Sequence, residues 1–205
     1  QPDPDFRVLV IGAGLTGLLA AIKLREAGYS FTVIEKNPEV GGTWWENTYP
    51  GVAVDTPSHF YSYSFELNPD WSHYTPNGPE FQQYLLHVAE KYALRQYVVF
   101  DTRVLGCTWD EAAQCWNVEI QDANGTRIER ANAVMNAHGP VNRWSWPKIP
   151  GLDRFKGAKM HTAGWDHSVS LEGKRVASIG TGASAVQVGP AIASEVGHLT
   201  VFQRS

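Results

Sequence analysis

The chain has 205 residues, 43% of them hydrophobic, and sets 17 Lys and Arg against 21 Asp and Glu for a formal charge of −4. A chain of this size buries one good core and the start of a second, and with no basic run to neutralise a phosphate backbone it is not expected to bind nucleic acid. Its longest apolar stretches, residues 8–11 and 18–22, fall far short of the roughly 20 residues that span a bilayer, so no membrane partner is expected.

Residues 6–11 (FRVLVI) form a short apolar run bounded by glycine, the pattern of a buried parallel strand. Residues 15–27 place Leu18, Leu19, Ile22 and Leu24 at helical spacing and stop at Gly28, a C-terminal signal. A second strand follows over residues 31–35, completing a strand, helix, strand unit. The segment between Trp44 and Trp71 is rich in aromatics, Pro, Ser and Asn, a composition that lines a flat apolar ligand or packs as a surface loop.

Residues 79–92 carry Phe81, Tyr84, Leu85, Val88, Ala89 and Tyr92 in a helical pattern opened by Pro79. Three strands are expected next, over residues 102–109, 116–121 and 127–137, with Asn124-Gly125 turning between the last two. A proline-rich stretch through Pro140, Pro147 and Pro150-Gly151 marks a domain boundary at residue 150. Beyond it, strands over 174–179 and 199–202 flank a helix over 183–193, a second copy of the first unit. Cys107 and Cys115 lack the spacing of a redox pair or zinc half-site, so no metal is expected and both read as reduced thiols of a cytoplasmic protein. A secretory signal is not expected ahead of the first strand.

Gly12-Ala13-Gly14-Leu15-Thr16-Gly17 fits G-x-G-x-x-G between a strand and a helix. Gly12 permits the tight turn, Gly14 clears the approach of a pyrophosphate, and Gly17 lets helix and strand come close. Glu35 ends the next strand, where a carboxylate accepts ribose hydroxyls and repels a 2′-phosphate. The first copy is therefore expected to hold FAD or NAD, with Gly12, Gly14, Leu15, Thr16, Gly17, Glu35 and Lys36 as its contacts. The second copy reads Gly180-Thr181-Gly182-Ala183-Ser184-Ala185 and is followed by Gln203-Arg204-Ser205 in place of an acid. A guanidinium there pairs with a 2′-phosphate, so the second site is expected to prefer NADPH, through Thr181, Gly182, Ala183, Ser184, Ala185, Gln187, Arg204 and Ser205. Two nucleotide sites of opposite ribose chemistry imply hydride transfer from NADPH to a flavin.

The run Gly41-Gly42-Thr43-Trp44, Tyr49-Pro50-Gly51 and Asp55 resembles the first signature of type I Baeyer–Villiger monooxygenases. Phe155, Gly157, His161, Trp165 and Asp166 resemble the second, F-x-G-x-x-x-H-x-x-x-W-[PD]. The resemblance extends over essentially the whole chain. It implies an α/β fold of two Rossmann-like, three-layer dinucleotide-binding domains: the front of an FAD domain with a small antiparallel meander over residues 1–150, and an incomplete NADPH domain from 151 to 205. In that family NADPH reduces the flavin, oxygen adds to give a C4a-peroxyflavin, and the peroxide converts a ketone to an ester or lactone. The resemblance further implies FAD contacts at Gly42, Thr43, Trp44, Asp55, Tyr61 and the main chain near Val104. Asp55 is then the residue that orients a catalytic arginine, and His161 with Trp165 couples the linker to the position of NADPH.

Two features depart from the family pattern: Ala137-His138-Gly139 at the end of the FAD-domain strand, and the bulky Trp144-Ser145-Trp146 before Pro147. The family's arginine, the rest of its NADPH domain and the returning part of its FAD domain would lie beyond Ser205, so these 205 residues alone are expected to be inactive. Two alternatives stay open. Flavin-containing monooxygenases that oxidise soft nitrogen or sulfur share both glycine motifs but lack Trp165-Asp166, and with the catalytic half missing the chain also reads as an FAD-binding module without turnover, for which weak or absent FAD retention is expected. The residues do not specify the ketone.

Overall fold

In the computed structural model, which describes residues 3–203, the first apolar run becomes strand β1 (Arg7–Ile11), with Val8, Leu9 and Val10 buried. Helix α1 (Leu15–Glu26) and strand β2 (Ser30–Ile34) follow, and β2 pairs in parallel with β1 from Arg7↔Ser30 to Ile11↔Ile34. Helix α1 ends where Gly28 takes φ +79°, a conformation that stops a helix at little cost only in glycine. A short helix α2 (Thr43–Glu46) and the long α3 (Gly78–Lys91) precede β3 (Val98–Val99). The meander consists of β4 (Arg103–Asp110), β5 (Cys115–Asp122) and β6 (Gly125–Ala131), joined by antiparallel pairing and turned at Gly125, φ +116°.

Residues 127–137, expected as one strand, are two. The chain leaves β6 at Asn132 and joins the parallel sheet as β7 (Ala133–Asn136), beside β1. Asn132 makes the transfer: its Oδ1 accepts the Arg7 N–H at 2.9 Å and its own N–H donates to the Arg7 carbonyl at 2.9 Å. The sheet order is thus β3-β2-β1-β7, which matches the first four strands of a doubly wound dinucleotide-binding sheet. Side chains alternate across such a sheet. Leu9 and Ile34 meet Val118, Ile120 and Ala131 of the meander in one buried cluster, leaving Val8, Val10 and Val33 to the opposite face, the side of α1.

The second copy forms β8 (Arg175–Ile179), α4 (Ala183–Ile192) and β9 (His198–Phe202), with β8 and β9 parallel from Arg175↔His198 to Ile179↔Phe202. The chain divides into two units, one running to Trp45 and resuming over Gln82–Asn142, the other formed by Glu46–Phe81 and the chain from Arg143 onward. Cys107 and Cys115 are free thiols, and burial raises the pKa of Cys107. No described helix is long and apolar enough to cross a membrane.

Candidate functional site

The first unit builds its site from main chain. Gly12 sits at φ +97° and donates its N–H to the Ile34 carbonyl at 2.8 Å, closing the loop over the end of β2. A Cβ on Gly17 would lie 1.8 Å from the Gly12 oxygen, so α1 approaches the loop at a distance only glycine allows. Gly14 is the N-cap of α1 and faces Gly42, where an added Cβ would fall 3.5 Å from the Gly42 Cα. Gly41 donates its N–H to the Ala13 carbonyl at 3.0 Å, and Gly42 takes φ +56°. Two glycine segments therefore run side by side at the start of a helix that has no side-chain cap and no acidic residue in its first turn, where Leu15 and Thr16 lie. An anion is favoured there by the aligned peptide dipoles.

Glu35 follows directly on β2 as a carboxylate only 3% exposed. Its Oε2 accepts the Ala13 N–H at 2.7 Å and its Oε1 the Asn37 N–H at 2.9 Å. A carboxylate offers about four lone-pair sites, so acceptor capacity remains for a diol. Lys36 donates to the Asn142 side chain at 3.1 Å. Thr43 and Trp44 open α2, whose first turn grows from the paired glycines: Trp44 donates its N–H to Gly41 at 3.2 Å and Trp45 to Gly42 at 3.1 Å. Val104 lies on β4 next to an irregularity in the pairing and packs against the core cluster.

Sequence reasoning missed Gln82. This α3 residue, 8% exposed, donates Nε2 to the Val40 carbonyl at 2.7 Å, while its Oε1 is buried without a hydrogen-bond partner among the described residues. A Cβ on Gly41 would fall 1.9 Å from that oxygen, so the amide lies directly under the glycine pair. The available signal was a polar residue three positions before Leu85 and seven before Ala89 on an apolar helical stripe.

In the second unit the second glycine loop repeats the backbone of the first. Gly180 takes φ +106° and donates its N–H to Phe202 at 2.9 Å, and Gly182 caps α4 at φ −72°, ψ −179°. Thr181 and Ala183 are exposed, and Ser184 and Ala185 half-buried, in the loop and first helical turn. Among the described residues, a Cβ on Gly182 would meet nothing within 4 Å. Arg204 and Ser205 lie outside the described residues. The Gln187 side chain reaches residues of the first signature: the Tyr49 hydroxyl donates to its Oε1 at 2.7 Å, and its Nε2 donates to the Ala53 carbonyl at 2.8 Å.

Asp55 is exposed, with the Thr56 hydroxyl as a neighbour at 3.4 Å. Tyr61 packs on Phe81 with ring centroids 4.8 Å apart, and Trp71 stacks on Phe81 at 5.9 Å. His161 stacks on Trp144 at 4.9 Å with the rings 10° from parallel, and Trp146 presents its plane edgewise to the same imidazole at 6.5 Å. The bulk of Trp144 and Trp146 thus serves as an aromatic slot for His161, whose Nδ1 accepts the Ala163 N–H at 3.1 Å. Trp165 is half-buried just beyond. The neighbouring Asp166 has its pKa lowered by the hydroxyl and N–H of Ser168.

A family model described as flavin-binding monooxygenase-like matches residues 5–203. A Baeyer–Villiger monooxygenase of Streptomyces coelicolor is 46% identical over 206 residues, and one of Pseudomonas aeruginosa is 42% identical over 210. Each alignment covers 100% of this chain, which spans only 39% of each of those proteins. Among solved structures, OTEMO in complex with FAD and NADP matches with a TM-score of 0.90 at 33% identity, over 100% of this chain and 40% of that one. Cyclohexanone monooxygenase with bound ε-caprolactone matches with a TM-score of 0.89 at 38% identity, over 97% of this chain and 39% of that one.

Proposed function

The chain belongs to the flavin-binding monooxygenase-like family, and on that premise we propose that it is the front part of an NADPH-dependent Baeyer–Villiger monooxygenase that takes FAD, NADPH, O2 and a small-molecule ketone. Residues 1–150 then belong to the FAD domain and residues 151–205 open the NADPH domain. The observation that carries the reading is the paired-glycine cradle of Gly12, Gly14 and Gly42 beside the buried carboxylate of Glu35. These residues fit a dinucleotide: the cradle has no side chain where a pyrophosphate would lie, and Glu35 keeps acceptor capacity for ribose hydroxyls.

The flavin supplies the redox and oxygen chemistry when bound, so that one atom of O2 enters beside the carbonyl to give an ester or lactone. The protein holds and orients. Gly12, Gly14, Leu15, Thr16, Gly17, Glu35, Lys36, Gly42, Thr43, Trp44, Tyr61 and the chain near Val104 bind FAD. Thr181 to Ala185 receive the NADPH pyrophosphate, and Arg204 with Ser205 its 2′-phosphate. Asp55 is the carboxylate that would fix a guanidinium in place, and a cation so held would stabilise negative charge developing at the reacting centre. His161 and Trp165 hold the linker.

Purified full-length protein tests the reading. It should be yellow, bleach on anaerobic addition of NADPH, and convert a ketone to an ester carrying one oxygen from labelled O2. Oxidation of a thioether with the ketone left untouched would refute the Baeyer–Villiger assignment.

A further inference from the structure

We propose that Gln187 is a positioning residue that locks the segment leading to Asp55 onto the helix following the second glycine loop; this rests on the cofactor reading above. The segment over residues 52–54 is paired on both edges. On one edge Val52 accepts the Gly78 N–H at 2.8 Å and Val54 donates to the Pro76 carbonyl at 2.9 Å. On the other edge, where a strand would offer a neighbouring peptide, the Gln187 amide stands in for one. Its Nε2 donates to the Ala53 carbonyl at 2.8 Å and its Oε1 receives the Ala53 N–H at 3.4 Å. The same Oε1 receives the Tyr49 hydroxyl at 2.7 Å, from a side chain only 7% exposed.

A second observation is independent of that side chain. Gly51, at φ +79°, lies so close to α4 that a Cβ would fall 2.5 Å from the Gln187 carbonyl oxygen and 2.9 Å from the Ala191 Cβ. The segment thus rests against the helix by backbone contact and is fastened by one amide. Only a group that is donor and acceptor at once can make this pairing. Gln187 stands five positions after the Gly182 cap, and Ala53 two before Asp55. Any displacement of α4 would therefore pass through the Ala53 main chain to the segment that carries Asp55.

Gln187→Glu removes the donor to Ala53, Gln187→Met removes both functions, and Tyr49→Phe removes only the hydroxyl. Each is made in the full-length protein, with amide hydrogen exchange at residues 52–55 read alongside anaerobic flavin reduction and NADP⁺ affinity. Exchange should rise in all three variants. Reduction at saturating NADPH should slow on the order of tenfold to a hundredfold in the Gln187 variants, the scale of a misplacement near 1 Å, with NADP⁺ affinity held within about twofold. Adding Tyr49→Phe to Gln187→Met should cost little more, since both act through one contact. Unchanged exchange overturns the proposal, whatever the cofactor does. So does weakened NADP⁺ binding with an unchanged saturated rate, which would make Gln187 a nucleotide contact. A wild-type protein that NADPH does not reduce would sink the cofactor reading, and the exchange data alone would still decide the pairing.

Discussion

Adding one carbon to Gly17 tests the first loop where it is tightest. In Gly17→Ala the new Cβ would lie 1.8 Å from the Gly12 oxygen and 2.9 Å from the Gly12 carbonyl carbon. Ordinary contact needs about 3.5 Å, so α1 must retreat from the loop by roughly 1.7 Å. Neither obstacle is a side chain that could turn aside, and we therefore expect the upper end of overpacking costs, about 3 kcal/mol. If the free protein relaxes to avoid this strain, FAD must restore it on binding, and the dissociation constant should rise on the order of a hundredfold. The assay pairs thermal unfolding of the apoprotein with FAD titration. Gly182→Ala in the second loop is the control: its Cβ meets nothing within 4 Å and its φ of −72° suits any residue, so stability should hold while NADPH affinity falls. A Gly17→Ala protein with wild-type stability and FAD affinity would refute the packing argument.

Two further outcomes are expected. Glu35→Gln leaves one acceptor oxygen for two N–H groups, so either Ala13 or Asn37 loses its partner in a site 3% exposed; chemical unfolding of the apoprotein should show a loss of about 1–3 kcal/mol, and an unchanged midpoint would contradict it. The Asp122 carboxyl is held below its ordinary pKa, chiefly by its hydrogen bond to the Arg127 side chain and next by the Asn124 N–H. Its contribution to stability is thus fully present above the ordinary carboxylate value and is lost as pH falls through the lowered one. The stability difference between wild type and Asp122→Asn should shrink over that acid range, and a difference that grows on acidification would reverse the assignment.

The elements around both glycine loops were legible because each is a short apolar run stopped by glycine, a local pattern that tertiary contacts then reinforce. The two-residue strand β3 was not, since Val98 and Val99 are strand only through pairing with Val33 and Ile34. The single strand expected over residues 127–137 broke for a similar reason. The bonds of Asn132 to Arg7 join residues 125 apart, and nothing in the local apolar pattern announces a change of sheet. Glu35 stood out by its offset from the glycines. By contrast, the partners of Gln187 lie 138 and 134 residues away, and nothing local in the sequence marks Trp144 as the ring that stacks on His161 or Trp146 as the one that meets it at right angles.

The switch at Asn132 has a consequence for biosynthesis. Strand β1 acquires its β7 neighbour only after more than a hundred further residues have been made, whereas the hairpins of the meander close within a few residues of one another. Short loops close at low entropic cost and long ones late, so on the ribosome β1 waits with one flank uncovered while β4 to β6 assemble. The bonds between Arg7 and Asn132 then fasten β7 to β1.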